Sequence, residues 1–315
     1  MAKKCWLPLV TVFLWSLYNV FARWVATHGI HPIAFVVIAF IFAAIPLLLI
    51  AGPGTRTLKT LKNPGTWIYA ALSLFEHMTT ICLFIYVTGT EGSLMQRLNV
   101  IVALLISWFF MNQTFKKEEL VYLFPLSFGL GVLFWNLPSE NAPLVIVCLL
   151  AAVLFQVGKT LVAELSAADF EEEDDLRTKV RVAAIVSFCT SMVFLMAFMP
   201  LSFVKTYYIG KSLDVPPLLA VFPSMEDFVN PHMVVAALVF AVVIEAPSIF
   251  AYFYSVRLVG TNKFMAFAAL VPLFTLAMEY MFMGVGLLRS ISISMESLAA
   301  MALISLAAFM KVVSD

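Results

Sequence analysis

The stretch Trp67–Val87, WIYAALSLFEHMTTICLFIYV, is long enough to cross a bilayer as a helix, and it carries a carboxylate and an imidazole, Glu76 and His77, at its middle. A hydrocarbon core about 30 Å thick needs roughly 20 apolar residues of helix, so Glu76 falls near the midplane, where an ionised group is costly unless it faces a partner or water. Ser73, Glu76, His77 and Thr80 recur at i, i+3, i+4 and i+7, which draws one polar stripe along an otherwise apolar cylinder. Ionisable groups at that depth read as a functional site; the competing reading is a polar pair that only binds helices together.

Composition fixes the setting. Of 315 residues, 63% are hydrophobic and 12% charged, and the mean hydropathy is +1.00. A soluble globule could not cover itself with so few polar side chains, so a polytopic membrane protein is expected. Lys plus Arg and Asp plus Glu both number 19, and this balance gives no reason to expect a nucleic-acid partner. Cys5, Cys82, Cys148 and Cys189 lie scattered in apolar runs without CxxC spacing and read as packing residues, with no disulfide framework and no metal site. The opening Met-Ala-Lys-Lys and apolar run imitate a signal peptide, but Asn19, Arg23 and the lack of a small-x-small cleavage site argue for an uncleaved first span.

Apolar windows bounded by turn residues or charges predict spans at 5–27, 32–52, 66–88, 92–113, 119–137, 142–164, 182–204, 231–256, 263–287 and 293–313. The expected fold class is all-α, a bundle of ten transmembrane helices. An even number puts both termini on one side. A cytoplasmic N-terminus gathers Lys3, Lys4, Arg56, Lys59, Lys62, Lys116, Lys117, Arg177, Lys179, Arg181, Arg257, Lys263 and Lys311 inside and leaves Arg23, Lys205, Lys211 and Arg289 outside. The positive-inside rule therefore favours a cytoplasmic (inner or plasma) membrane with both ends in. Residues 1–140 hold spans 1–5 and residues 141–315 hold spans 6–10. A polar cytoplasmic linker, 165–181, contains the acidic run Glu171–Asp175, and an outer loop, 205–230, with Pro216-Pro217 and Glu226-Asp227, is expected to carry a short interfacial helix.

The two halves resemble each other. Without gaps, LWSLYNVFARWVA (14–26) on AAVLFQVGKTLVA (151–163) pairs Asn19 with Gln156, and LFEHMTTICLFIYV (74–87) on VIEAPSIFAYFYSV (243–256) pairs Glu76 with Glu245. Each half has an odd number of spans, so the second copy lies upside down. Two inverted five-helix repeats are a transporter architecture, with the binding site near the midplane where they meet.

At this point the chain resembles a known family. LWSLYNVFARWVA and HGIHPIAFVVIAFIFAA are similar to the first and second helices of the EamA-like branch of the drug/metabolite transporter superfamily. FIYVTGTEGSLMQRLNVIVALLISWFFMNQTFKKEEL and YFYSVRLVGTNKFMAFAALVPLFTLAMEYMFMG resemble its third-to-fourth and eighth-to-ninth helix stretches. The resemblance implies a ten-helix inverted-repeat carrier of small metabolites, with a central cavity lined by helices 1, 3, 4, 6, 8 and 9. This chain departs from the pattern at Ala39, Asn99 and Gln113, where the family often has arginine, proline and glutamate, and keeps the helix 9 proline as Pro272.

Repeat symmetry carries Glu76 and Glu245 to one depth. Two carboxylates sharing a low-dielectric site resist ionising together, so a proton is taken up and competes with a cationic substrate, with His77 as relay. Asn19 and Gln156 offer neutral polar contacts, or interhelical glue. Arg97, with Gln96 and Asn99, opens span 4 near the outer face, where it snorkels, holds a substrate carboxylate or pairs with an acid. Lys159, one turn beyond Gln156, faces the same choice, with snorkelling to the inner side favoured. Pro272, Thr275 and Glu279 share a face of span 9, Glu279 being closest to the outer boundary and equally readable as a structural pair. Tyr18, Tyr252, Trp15 and Phe155 lie on or beside the polar stripes and offer aromatic faces to a cation. Gly129 and Gly131 are assigned to close helix packing.

The reading is a secondary carrier, working by alternating access, of a small organic cation or zwitterion: an amine, a choline-like compound or an amino acid. Its partners are that solute, protons and the lipid bilayer, with a homodimer left open. The alternatives are a membrane-embedded enzyme, disfavoured because FEHMT is not HExxH, no GxSxG occurs and His28, His31, His77 and His232 do not cluster, and a passive channel or adaptor. No GxxxxGK[ST] is present, so no ATP site is expected, and no cofactor or metal is implied.

Overall fold

A computed structural model describes residues 2–52, 54, 56–110, 119–135, 137, 139–166, 176–260, 264, 267–288 and 295–314. The acidic run Glu171–Asp175, together with Gln113, Lys116, Lys117, Lys263 and Arg289, lies outside the described residues. Among the described residues all regular structure is helical: α1 (Ala2–Thr27), α2 (Pro32–Ala51), α3 (Arg56–Lys62), α4 (Pro64–Leu83), α5 (Gly89–Met95), α6 (Leu98–Phe110), α7 (Glu119–Trp135), α8 (Ala142–Ser166), α9 (Leu176–Ala197), α10 (Met199–Gly210), α11 (Pro217–Ala220), α12 (Met225–Val229), α13 (Pro231–Phe240), a π-helical segment Ala241–Glu245, α14 (Ala246–Val259), α15 (Val271–Gly284) and α16 (Met295–Ser314).

Five helical stretches are long and apolar enough to cross a membrane: Trp6–Thr27, Pro32–Ala51, Ala142–Val162, Arg177–Ala197 and Pro231–Val256. Shorter apolar helices cover Leu123–Trp135, Val271–Gly284 and Leu298–Ala307. Helix α4 has the length for a span, but the polar stripe around Glu76 dilutes its apolarity. Large apolar side chains face outward, among them Leu49 at 80%, Trp135 at 89% and Phe124 at 76% exposure, so the surface of the bundle suits lipid. The segment 205–230 carries α11 and α12, with α12 opened by a capping box between Ser224 and Asp227.

Helix starts follow local chemistry. Asn63 caps α4 by accepting from the Gly65 amide at 2.9 Å, with Pro64 at the first helical position, where its missing N–H costs nothing. Thr88 and Glu91 form a reciprocal capping box at α5. Between helices, small hydroxyls close the seams. Ser187 and Ser191 of α9 donate to the Phe40 and Val37 carbonyls of α2 at 2.9 and 2.8 Å. Ser16 of α1 donates to the Val271 carbonyl of α15 at 3.1 Å. Helix α2 ends at Gly52, whose φ of 68° suits a residue without Cβ, and Arg181 at the start of α9 donates to the Ala51 and Gly52 carbonyls at 2.9 and 2.8 Å.

Neighbours repeat a pattern. Helix α4 packs on α8 and α9, and α14 and the π segment pack on α1 and α2; α2 lies on α9, and α7 on α16; α6 touches α8, and α15 touches α1. Three irregularities interrupt the spans, and apolarity alone signals none of them. The segment read as a single span over 92–113 is two helices, α5 and α6, separated by a tight turn at Gln96-Arg97. A matching turn, Ala269-Leu270, precedes α15. The hydrogen bonds of the two turns correspond: Arg97 N–H to Leu94 O and Val100 N–H to Arg97 O in the first, Leu270 N–H to Phe267 O and Leu273 N–H to Leu270 O in the second. The third is the π segment. Pro247 has no N–H to return to the Val243 carbonyl, and the Ala246 amide reaches back to Ala241 instead, a wider loop that ends on Glu245.

Candidate functional site

Midway along the bundle these elements enclose a cavity with about 50 Å³ of space for water-sized occupants. Its polar wall comes from Glu76, His77 and Ser73 of α4, Glu245 and Ser248 beside the π segment, Lys159 and Gln156 of α8, Asn19 of α1 and the Gln96-Arg97 turn; Trp15, Tyr18, Tyr69 and Tyr252 supply aromatic faces. The two acids are in different circumstances. Glu76 is 7% exposed, and its Oε2 lies 2.9 Å from Lys159 Nζ and 2.7 Å from His77 Nδ1. Glu245 is 3% exposed, and its nearest polar partner is His77 Nε2 at 3.6 Å, beyond hydrogen-bond reach. Among the described residues Glu245 has no lysine or arginine in contact.

His77 connects the two. Its Nδ1 lies 2.7 Å from both the Ser73 carbonyl and Glu76 Oε2, groups that can only accept, so Nδ1 carries the hydrogen. That assignment leaves Nε2 as the titrating nitrogen, and Nε2 faces Glu245. The ring is clamped edge-on by Tyr18, at 5.2 Å between centroids, and Phe40, at 4.9 Å. The Tyr18 hydroxyl is buried with no hydrogen-bond partner among the described residues.

The cavity is asymmetric along the bundle. From the acids it extends to Trp15 in α1, Tyr69 in α4, Lys159 in α8 and Tyr252 in α14, in each case toward the end that carries the chain's N-terminus. Toward the other end Phe21, Phe35 and Phe240 close over Tyr18, and Asn19 meets Thr275 at 3.4 Å. Farther along, Glu279, wholly buried, accepts from the Gly89 and Thr90 amides at 2.9 and 3.1 Å and from the Thr90 hydroxyl, with Arg23 Nε 3.9 Å away.

Acids at the centre of an apolar helical bundle fit solute binding inside a membrane. Residues 3–135 match the EamA-like transporter family. The resemblance read from the helix 1 to helix 4 phrases is thus found independently over that segment, and an EamA-like match suggests a membrane transporter of the drug/metabolite kind. No curated protein matches the sequence. Among 25 solved chains that match, one crystal structure covers 99% of this chain and 98% of its own at 14% identity with a TM-score of 0.60, a likeness of fold alone.

On this helical bundle most of the residues singled out in the sequence meet at one place: Glu76, His77, Ser73, Glu245, Asn19, Gln156, Arg97, Lys159, Tyr18 and Tyr252 all line the cavity. Three do not. Thr80 turns to Gln96, which donates to it at 3.3 Å; Asn99 lies behind the wall, donating to Gln156 at 2.9 Å; Glu279 caps α5 far from the acids. Lys159 does not snorkel, because a buried carboxylate is within its reach. Arg97 neither snorkels nor meets an acid among the described residues: 1% exposed, it donates from Nε to the Ser93 carbonyl at 3.0 Å and from Nη1 to the Ala268 carbonyl at 2.6 Å, tying one broken span to the other. Tyr69 and Ser248 were not anticipated. Extending the polar stripes by one turn, to four residues before Ser73 and three after Glu245, would have found both.

The ion pair changes what a Glu76 substitution does. Glu76→Gln leaves the Lys159 ammonium buried beside a neutral amide, which should destabilise the protein by about 3–5 kcal/mol, whereas Glu76→Gln with Lys159→Met removes both charges and should recover most of that loss. Melting temperatures of the two variants test this, and equal values would refute it.

Proposed function

We propose that the protein is a secondary carrier of a small organic cation or zwitterion, built as two inverted five-span repeats and coupled to protons through Glu245 and His77. One observation carries the reading: a buried carboxylate with no lysine or arginine in contact among the described residues, Glu245, faces the titrating nitrogen of His77 in a cavity at the centre of the apolar bundle. An arriving ammonium would neutralise Glu245 in place of a proton, and the displaced proton would leave by way of Nε2. The fully buried Arg97 guanidinium, held among the described residues by two backbone carbonyls, is a partner for the carboxylate of a zwitterion. Glu76, already held by Lys159, is the anion that stays charged, so the two acids divide the work that the sequence assigned to both alike.

The repeat is supported by the neighbour pattern. Exchanging the halves turns α4 on α8 into α14 on α1, and α6 on α8 into α15 on α1, while α2 on α9 and α7 on α16 map onto themselves. The corresponding turns at Gln96-Arg97 and Ala269-Leu270 support it further, since discontinuous helices at a repeat interface are a transporter device. With ten spans and both termini in the cytoplasm of a cytoplasmic membrane, as the lysine and arginine distribution favours, the cavity leans inward and the Glu279 contacts lie on the outer side. The experiment is sided uptake into reconstituted vesicles, with amines and amino acids first screened for a rise in melting temperature. Uptake of a stabilising solute that accelerates with an imposed pH gradient is expected. Uptake indifferent to the gradient would overturn the coupling.

A further inference from the structure

The cavity contains a cation of its own. Lys159 reaches across from α8, its Nζ 2.9 Å from Glu76 Oε2 and 5.8 Å from the centre of the Tyr252 ring. Both charges are more than nine-tenths buried, with Glu76 7% and Lys159 6% exposed. A buried ion pair that serves only to hold helices together is expected to use its donors and acceptors fully. This one does not. An ammonium has three N–H donors, and among the described residues one is taken, by Oε2; the second carboxylate oxygen, Oε1, meets no donor, while both known contacts of the carboxylate crowd onto Oε2. The spare donors and the spare oxygen adjoin space that admits water-sized molecules. A carboxylate, an aromatic face and a small void beside them are the components that recognise an ammonium ion.

We propose that Glu76 and Tyr252 form a primary-ammonium subsite, which the chain keeps filled with the tethered amine of Lys159. The charged or titratable groups around it are His77 and Tyr69 on the same helix, Tyr18 on α1, Glu245 at the π segment and Arg97 at the helix break, and none of them delivers a second ammonium to Glu76. The inference deepens the carrier reading and rests on it for its consequence. A cation that never leaves the protein balances Glu76 when no solute is bound, so the bundle can reorient empty without a bare carboxylate in its core. With this subsite filled from within, the ammonium of an arriving solute is left to Glu245, which has no lysine or arginine in contact among the described residues.

Restoring the severed head group tests this in the purified full-length protein. In Lys159→Ala, methylammonium is expected to raise the melting temperature saturably, by about 2–5 °C. Wild-type protein, its Glu76 subsite filled and only Glu245 open, should respond less to methylammonium than Lys159→Ala does at equal ionic strength. Tetramethylammonium, which lacks N–H donors, should raise Lys159→Ala less than methylammonium does, and methylammonium should raise the Glu76→Gln/Lys159→Ala double variant no more than it raises the wild type. Lys159→Met keeps the bulk of the stem and provides the same measurement with the smaller NH₄⁺ if the alanine variant does not fold. No rise in either single variant, or an equal rise in the double variant, would overturn the proposal. These readings require no transport, so a failure here and a failure of the uptake experiment are separate results.

Discussion

Proton-driven uptake by Glu245→Gln protein is expected to fall at least about 100-fold, while its melting temperature stays within about 2 °C of wild type. The first expectation follows from the contact that is lost. Glu245 is the acid left open to an arriving cation, and 100-fold corresponds to ~2.7 kcal/mol, within the range of a buried charge pair. The second follows from the contacts Glu245 lacks: with His77 Nε2 at 3.6 Å and no lysine or arginine in contact among the described residues, a neutral amide of the same shape leaves no charge stranded. The contrast with Glu76→Gln, which strands Lys159, makes the pair of variants diagnostic. Glu245→Gln protein that transports with an unchanged pH profile would remove the coupling role assigned to this acid.

Glu279→Ala should be the most damaging single change to stability, lowering the melting temperature by about 10 °C. Glu279 is wholly buried and is the acceptor for two amides and a hydroxyl at the start of α5, with Arg23 beside it. Each donor left without an acceptor in the interior costs about 1–3 kcal/mol, so the sum approaches the whole stability of many domains. The same contact forbids a larger residue at Gly89, where a Cβ would lie 2.7 Å from Glu279 Oε1 and 3.4 Å from the Asn19 carbonyl oxygen. Gly89→Val should therefore reproduce much of the loss without touching an acid. Thermal melts of both variants are the measurement, and values within about 1 °C of wild type would show that the grip on α5 carries little.

The sequence made the acids visible because charge at the midplane of an apolar run is expensive and rare, so Glu76 and Glu245 stood out and stripe periodicity brought in Ser73, His77 and Asn19. It could not divide the acids between their roles. That depended on Lys159, whose long side chain snorkels or turns inward according to what stands across the cavity, and nothing in its own neighbourhood says which. Arg97 was misplaced for a related reason: hydropathy measures how long an apolar run is, not whether its hydrogen bonds continue, so a break at Gln96-Arg97 was read as the mouth of an unbroken span. The π segment was half legible, since Pro247 announces a freed carbonyl but not how the chain will accommodate it.

The bond from Arg97 to residue 268 ends on a main-chain oxygen. Any residue at 268 presents that oxygen, so the position can drift through evolution without disturbing its partner. Searches for correlated substitutions between the halves will pass over this tether, and so will scanning mutagenesis at 268. It would show only when the arginine itself is changed.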